Sequence, residues 1–398
     1  MYFKLTENDA AAYAKEKGFF DETAELTCRE IGDGNINYVF RVSEPAASKS
    51  IIIKQADVLL RSSQRPLSTE RLRIEARYLI MGNTLSPAQF PEIFLYDPIM
   101  NCMVMRDLFE YENMRHALLL RQIFPTFADD VSTFLAEMLM RTTDHFLDPV
   151  EKKSLCKDTI NPEMCQISEK LVFTDPYTNF FGTNILLEEN ISFFEKELYG
   201  DRLLLLEVTK LYDKFKSSAQ ALLHGDLHTG SILVKNDSTM VLDAEFAFFG
   251  PIGYDVGNIL ANLVFAWVNA YVAASGETEF MGWLEKTIED TADLFYCKAT
   301  NILSTAKDIM AQTPGFAEWY MKNAMCDAMG FAGTEINRRI IGDAKVEDIA
   351  GIKDTIKRVE AERICVLCAK KFILERDKYR SGKDYVRGLK LCAEQMQI

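Results

Sequence analysis

Residues 222–258 read LLHGDLHTGSILVKNDSTMVLDAEFAFFGPIGYDVGN, and the rest of the chain is read outward from them. Leu222 and Leu223 take the backbone into an apolar interior, and His224-Gly225-Asp226 forms a tight turn. Ile232-Leu233-Val234 makes a short apolar strand, Lys235-Asn236-Asp237-Ser238 is turn chemistry, and Met240-Val241-Leu242 pairs back as a second strand. The hairpin holds Asp226 near Asp243. Side chains alternate in an extended segment, so Asp243 and Glu245 are expected to point one way and Ala244 and Phe246 the other.

Carboxylates gathered on apolar strands repel one another and lose solvation, so they call for a compensating cation, for which Mg²⁺ carried with a nucleotide is the usual solution. Asp226, at a loop position, suits acceptance of a hydroxyl proton. Asp243 and Glu245 suit the metal. This is the division of labour in kinase-type phosphoryl transfer. The alternative, a surface hairpin with solvated acids, requires the apolar strands, His-Gly-Asp and Asp-x-Glu to coincide by accident.

The 398 residues, 48% hydrophobic and 26% charged, allow a large core divided between two lobes. Net charge is −14, from 45 basic and 59 acidic residues. No run of Lys or Arg marks a nucleic-acid or anionic-membrane surface, and a small-molecule substrate fits better. The first twenty residues lack the apolar core of a signal peptide, and the nine cysteines form no disulfide framework, which points to a reducing cytoplasm. Cys365-Val-Leu-Cys368 is a CxxC inside a helical stretch and is read as core packing. Val256–Gly276 carries no charge and has the length of a membrane span, but Asn258, Asn262 and Asn269 interrupt it, so a buried helix under the acidic motif is expected.

Upstream, Thr6 to Lys17 reads as a helix capped by Thr6. Residues 24–42 give strand, turn and strand around Glu30-Ile-Gly-Asp-Gly-Asn-Ile-Asn. The glycines there let backbone N–H groups approach phosphates, with Gly34, Asn35 and Asn37 the positions expected against a nucleotide. Ile51-Ile52-Ile53 is a β-branched strand ending in Lys54. A helix over 69–81 offers Glu75 to pair with that lysine, against the alternative of a surface pair with Arg71 at i and i+4. A hairpin about Asp97-Pro98 then runs into Arg106-Asp107-Leu108. Downstream, residues 111–199 are helical with breaks near Pro149, Pro162 and Pro176, and 196–216 reads as one long helix. Amphipathic helix covers 278–330, with Arg338 and Arg339 adjacent near a later helix end. Neighbours on a helix diverge by about 100°, so the two arginines are expected to make different contacts.

HGDLHTGSI followed by LDAEFAFFGPIGYDVGN resembles the 5-methylthioribose kinases, within the aminoglycoside and choline phosphotransferase branch of the protein-kinase-like fold. Ser231 stands where the wider branch has Asn, Asp-x-Glu replaces Asp-Phe-Gly, and Ala244 departs from an expected Pro. The resemblance implies an α+β, two-lobed architecture with a nucleotide-binding lobe over 1–108 and a helical catalytic lobe over 109–398. It implies ATP and Mg²⁺, with Lys54 on the phosphates, Glu75 fixing Lys54, and Arg106, Asp107 and Leu108 as the hinge that reads the adenine edge. Asp243, Ala244 and Glu245 fall in the nucleotide site, and Asp243, Glu245 and Ser231 at the metal. Asp226 is the implied catalytic base, and Arg338 and Arg339 are the implied partners of the acceptor sugar and the transferring phosphoryl group. The expected reaction is phosphorylation of the 1-hydroxyl of 5-methylthioribose in methionine salvage, by a homodimer. Rival readings are a phosphotransferase for another sugar, choline or an aminoglycoside, and a nucleotide-binding pseudokinase. The pseudokinase would have lost Asp226, Asp243 or Lys54, and all three are present.

Overall fold

The alternating apolar residues of the first hundred positions build an antiparallel sheet in the computed structural model, which describes residues 2–31, 37–59, 66–273 and 276–396. Its strands are β1 (Thr27–Glu30), β2 (Tyr38–Glu44), β3 (Lys49–Gln55), β4 (Ile93–Asp97) and β5 (Cys102–Arg106), in the order β1-β2-β3-β5-β4. The pleat sorts β3: Ile51 and Ile53 join a small core with Phe40, Val42 and Val104, and Ile52 turns to the opposite face with Met103 and Met105. Lys54 shares the Ile52 face, opposite Val39 and Met103. Helix α1 (Glu7–Glu16) covers the small core with Ala10, Tyr13 and Ala14, and Thr6 caps it in a reciprocal capping box with Asp9. Helix α2 (Glu70–Leu85) packs against the sheet and buries Glu75 beside Lys54. Gly34 and Asn35 of the Gly-rich turn lie outside the described residues.

Beyond β5 the chain is mainly helical: α3 (Met114–Leu119), α4 (Phe127–Arg141), α5 (Pro149–Asp158), α6 (Pro162–Ser168), α7 (Asp175–Thr178), α8 (Ile191–Phe194) and α9 (Arg202–Ser217). Pro149 and Pro162 open α5 and α6, where a missing N–H costs nothing, so these breaks are helix starts. The single helix expected over 196–216 is in fact two pieces. A π-helical segment, Glu195–Tyr199, ends at Gly200, and Asp201 accepts from the N–H groups of Leu203 and Leu204 to start α9. An N-cap aspartate, Asp201, five residues past the expected start was the missed signal.

The central stretch forms β7 (Ala221–Leu223), β8 (Ile232–Lys235), β9 (Ser238–Val241) and β10 (Phe248–Gly250). β8 and β9 make the expected hairpin, β6 (Glu112–Asn113) extends it along β8, and β7 pairs with β10. Below them lie α10 (Gly253–Ala273), α11 (Thr278–Leu303), α12 (Phe316–Ile341), α13 (Glu347–Ala350), α14 (Thr355–Leu374) and α15 (Gly382–Glu394). α10 is long and apolar enough to cross a membrane, yet it is buried along most of its length among α11, α12 and α14. All nine cysteines are free, and Cys365 and Cys368 are packed inside α14.

α10 and α12 touch backbone to backbone. A Cβ on Gly257 would stand 2.5 Å from the Ala328 carbonyl oxygen and 2.7 Å from the Ala332 nitrogen. That approach carries the far end of α12, with Arg338 and Arg339, under the His-Gly-Asp turn. Gly257→Val forces the helices apart and is expected to cost about 1–3 kcal/mol or more, as overpacked cores do. Urea unfolding measures it, and a stability within about 0.5 kcal/mol of wild type would show that the contact yields freely.

Candidate active site

A cavity of about 720 Å³ opens between the five-stranded sheet and the β8–β9 hairpin. Val39, Ile52 and Met105 line it from the sheet and Leu233 and Leu242 from the hairpin, an apolar slot for a flat ring. Asp226, His228, Ser231, Asp243 and Glu245 crowd its deeper part together with Lys54. Behind α2 is another cavity of about 690 Å³, but its one carboxylate is Glu151, and none of the acid-base groups above reaches it.

Lys54 is almost wholly buried and ties three elements together. Its Nζ donates to Glu75 Oε1 at 2.7 Å and to Asp243 Oδ1 at 2.5 Å. Burial opposes its charge, but Asp243, Glu75 and Glu245 outweigh burial and hold its pKa above the ordinary value. Burial likewise pushes Glu75 up to about 7 despite the ammonium beside it. Glu75 is thus the partner of Lys54 and not of Arg71. Arg71 turns inward, donating to Asn37 Oδ1 at 3.0 Å and lying 3.5 Å from Glu245. Asn37 in turn donates to Glu245 Oε2 at 3.0 Å. Asp243 alone of these acids is half exposed.

Asp243 and Glu245 face the cavity together and Ala244 faces away, as expected, but Phe246, expected on the Ala244 side, also lines the cavity, and the segment is not a strand. Asp243 has φ of +61°, in the left-handed region, and β9 ends two residues earlier. Ala244, which the resemblance places in the nucleotide site, is completely buried in the core and does not line the cavity.

Asp226 sits at the opposite wall. Its Oδ1 receives Arg338 Nη1 at 3.1 Å and Arg339 Nη2 at 3.3 Å, and Oδ2 lies 3.6 Å from His228 Nε2. Burial would raise the pKa of Asp226, but Arg338 foremost, with His228 and Arg339, drives it well below the usual carboxylate range. The expectation that the arginines diverge is therefore overturned. Glu335, one turn earlier, accepts from Arg339 Nε at 2.7 Å and Arg338 Nη1 at 3.2 Å, so both long side chains bend onto the same two carboxylates. Both arginines are buried, which excludes a solvated patch, and neither lines the cavity.

The turn bearing Asp226 is held from below. Asp255, buried at the start of α10, accepts from the backbone N–H groups of His224 at 2.6 Å and Gly225 at 3.0 Å. Gly225 has φ of +84°, and a Cβ there would collide with the Phe246 carbonyl oxygen. His224 Nε2 bonds the Leu242 carbonyl oxygen at 2.7 Å, joining the turn to the hairpin. Ser231 Oγ stands 3.1 Å from His228 Nδ1. At the hinge, Arg106 pairs with Glu110, Leu108 is buried, and the Asp107 carboxylate is held by Arg41 at 2.7 and 2.9 Å. His228 was read from sequence only as part of the HGDLHTGSI motif, without a role, and Asp255, Glu335, Arg41 and Arg115 were not singled out. Only Asp255 left a trace, as the sole acid at the head of a long uncharged segment.

Among the described residues no three His, Cys, Asp or Glu side chains form a metal site by themselves. Asp243 and Glu245 supply two hard oxygen donors, the number with which Mg²⁺ is held when nucleotide phosphates complete its shell. The residues fit the ion in that shared form.

Residues 194–286 match the family model described as phosphotransferase enzyme family. The chain is 37% identical over 390 residues to a methylthioribose kinase of Geobacillus kaustophilus, covering 97% of this chain and 96% of the relative. A methylthioribose kinase of Enterobacter is 36% identical over 397 residues, covering 97% and 98%. Among solved structures, choline kinase from Cryptosporidium parvum aligns over 98% of this chain and 97% of its own, at 11% identity and a TM-score of 0.48.

Burial, together with Arg339, Arg115 and Arg338, lowers the pKa of His228 to about 3 despite the pull of Asp226. His228 is therefore neutral in the folded protein. As pH falls through about 6.5 the unfolded chain takes up this proton first, so the site loses stability toward acid. In an NMR titration the His228 ring signals are expected to stay fixed from pH 8 to about pH 5. A midpoint near 6.5 would contradict the assignment.

Proposed function

This chain belongs to the methylthioribose kinase family, a family of small-molecule kinases, and from that premise we propose that it transfers the γ-phosphoryl group of ATP to the 1-hydroxyl of 5-methylthioribose, a step of methionine salvage. The observation that carries the reading is the opposition, across one cavity, of Lys54 with Asp243 and Glu245 against Asp226 with its two arginines. The first group suits a nucleotide triphosphate and the second suits a hydroxyl acceptor.

In this reading adenine lies in the slot between Ile52 and Met105 above and Leu233 and Leu242 below, with the backbone of 106–108 at its edge, and the two lobes divide at Leu108. Lys54, held by Glu75, reaches the phosphates. Asp243 and Glu245 would hold Mg²⁺, with Ser231 lining the same cavity. When bound, the ion supplies charge neutralisation to the phosphate oxygens. Asp226 accepts a hydrogen bond from the acceptor hydroxyl and aligns its oxygen on the γ-phosphorus. Its depressed pKa keeps it ionised at any working pH, so it serves first as an orienter and takes the proton as the new bond forms. Arg338 and Arg339 hold Asp226 in that orientation, and their charge favours the anionic phosphoryl group as it arrives. The positive charge of these guanidinium groups behind Asp226 disfavours an ammonium acceptor such as choline.

An ADP-release assay with methylthioribose, ribose, choline and an aminoglycoside tests the substrate, and methylthioribose is expected to exceed the others by at least about tenfold in kcat/KM. A preference for an amine acceptor would defeat the proposal. Asp226→Asn keeps nucleotide binding and loses about 10²–10⁴ in turnover, whereas a rate within about threefold of wild type would remove Asp226 from the mechanism. Asp243→Ala frees Lys54 and removes a hard oxygen donor, so the magnesium requirement should shift to concentrations about tenfold higher or more. An unchanged magnesium dependence would dismiss Asp243 as a ligand.

A further inference from the structure

Arg338 and Arg339 do not line the cavity, and the wall beside them carries a further basic side chain. One arginine does line that wall. Arg115, on α3, lays Nη1 against Gly230, where a Cβ would come within 3.0 Å of it, and donates from Nη2 to Asn262 Oδ1 at 3.3 Å. Asn262 also accepts from the N–H and the hydroxyl of Thr229, both at 3.3 Å, so Arg115 is fixed to the loop that carries Asp226 and His228. Asn113, just before Arg115, donates to the Gly230 carbonyl oxygen at 2.8 Å and strengthens the same link.

The remaining partner of Arg115 is incomplete. Its Nε lies 3.5 Å from Asp348 Oδ2, an ion pair without a closed hydrogen bond. Both oxygens of Asp348, which is 1% exposed, lack a hydrogen-bond partner, and so does Arg115 Nε. Asp348 belongs to α13, where its backbone carbonyl is anchored by Asn269 of α10. Nε is turned back to the buried carboxylate, whereas Nη1, beside Gly230 of the cavity wall, has no hydrogen-bond acceptor among the described residues. A polyol bound there supplies acceptors to the Nη groups, whose planar fork matches two neighbouring hydroxyl oxygens.

Resting on the kinase reading above, we infer that Arg115 is a specificity-determining residue that hydrogen-bonds the ring hydroxyls of the acceptor sugar, with Asp348 as its positioning residue. The third guanidinium makes the acceptor half of the cavity a site for uncharged, hydroxyl-rich molecules.

The test is steady-state kinetics on the full chain with Mg²⁺–ATP. Turnover of methylthioribose by the wild type reports on the kinase reading alone, and the variants are then measured on whichever sugar the wild type accepts. Arg115→Ala is expected to raise the acceptor KM by about tenfold or more while the ATP KM stays within about twofold, and Arg115→Lys should recover only part of the loss. The alanine variant leaves Asp348 without a cation, so Arg115→Ala/Asp348→Asn, which removes the pair together, is measured beside it. Sugars lacking the 2- or the 3-hydroxyl give a readout that misfolding would not imitate. Removing the contacted hydroxyl should cost the wild type about tenfold in kcat/KM and the Arg115 variants less than about threefold. Equal losses in wild type and variants, or an acceptor KM within about twofold of wild type in both the alanine and the double variant, would overturn the assignment.

Discussion

The arrangement depends on one ammonium group. Lys54 reaches from the middle of the sheet to Glu75 on α2 and to Asp243 at the end of the hairpin, so three elements distant in sequence meet at a single nitrogen. Its charge offsets the mutual repulsion of Asp243, Glu75 and Glu245, the last of which Arg71 also faces. Loss of one partner from a buried pair of this kind typically costs about 3–5 kcal/mol, because the remaining charge is stranded away from water. The half-exposed Asp243 is the one partner that can be given up to a ligand, while Glu75 stays buried and keeps the lysine aimed. The contact that assembles the site is therefore also the contact a bound nucleotide can replace.

Across the cavity the charges are reversed. Arg338, Arg339 and Arg115 surround Asp226 and His228, with Glu335 and Asp348 as buried counter-ions. The acidic half suits a cation and phosphates, and the basic half suits an orienting carboxylate and a neutral acceptor. α10 keeps the halves in register. Its first turn holds the His224-Gly225-Asp226 backbone through Asp255, its middle holds the following loop through Asn262, and its glycine face admits α12 close enough to deliver the arginines. The buried, uncharged character of this helix reflects that duty.

Much of this was legible before the structure. The strand ending in Lys54, the β8–β9 hairpin, the Thr6 cap and the buried character of α10 follow from period, turn residues and capping, which act over a few neighbours. The pairing of Lys54 with Glu75 was also reached, because it needed only the order strand then helix. The failures lie where tertiary contacts decide. The left-handed Asp243 ends the extended run, and Phe246 lines the cavity from which continuous alternation would have turned it away. Arg338 and Arg339 converge because Asp226 arrives from more than a hundred residues away, a fact no helical wheel contains. Arg115 left no signal at all: its neighbours in sequence are ordinary helix formers, and its meaning comes from Asn262 and Asp348.

The most direct test of the account is a crystal structure of the protein with a non-hydrolysable ATP analogue, Mg²⁺ and methylthioribose. The account predicts that Lys54 leaves Asp243 for a phosphate oxygen while keeping Glu75, that the metal sits on Asp243, and that the 1-hydroxyl of the sugar lies within hydrogen-bond reach of Asp226 and in line with the γ-phosphorus. A sugar bound elsewhere, or another hydroxyl presented to Asp226 with Lys54 still on Asp243, would contradict it.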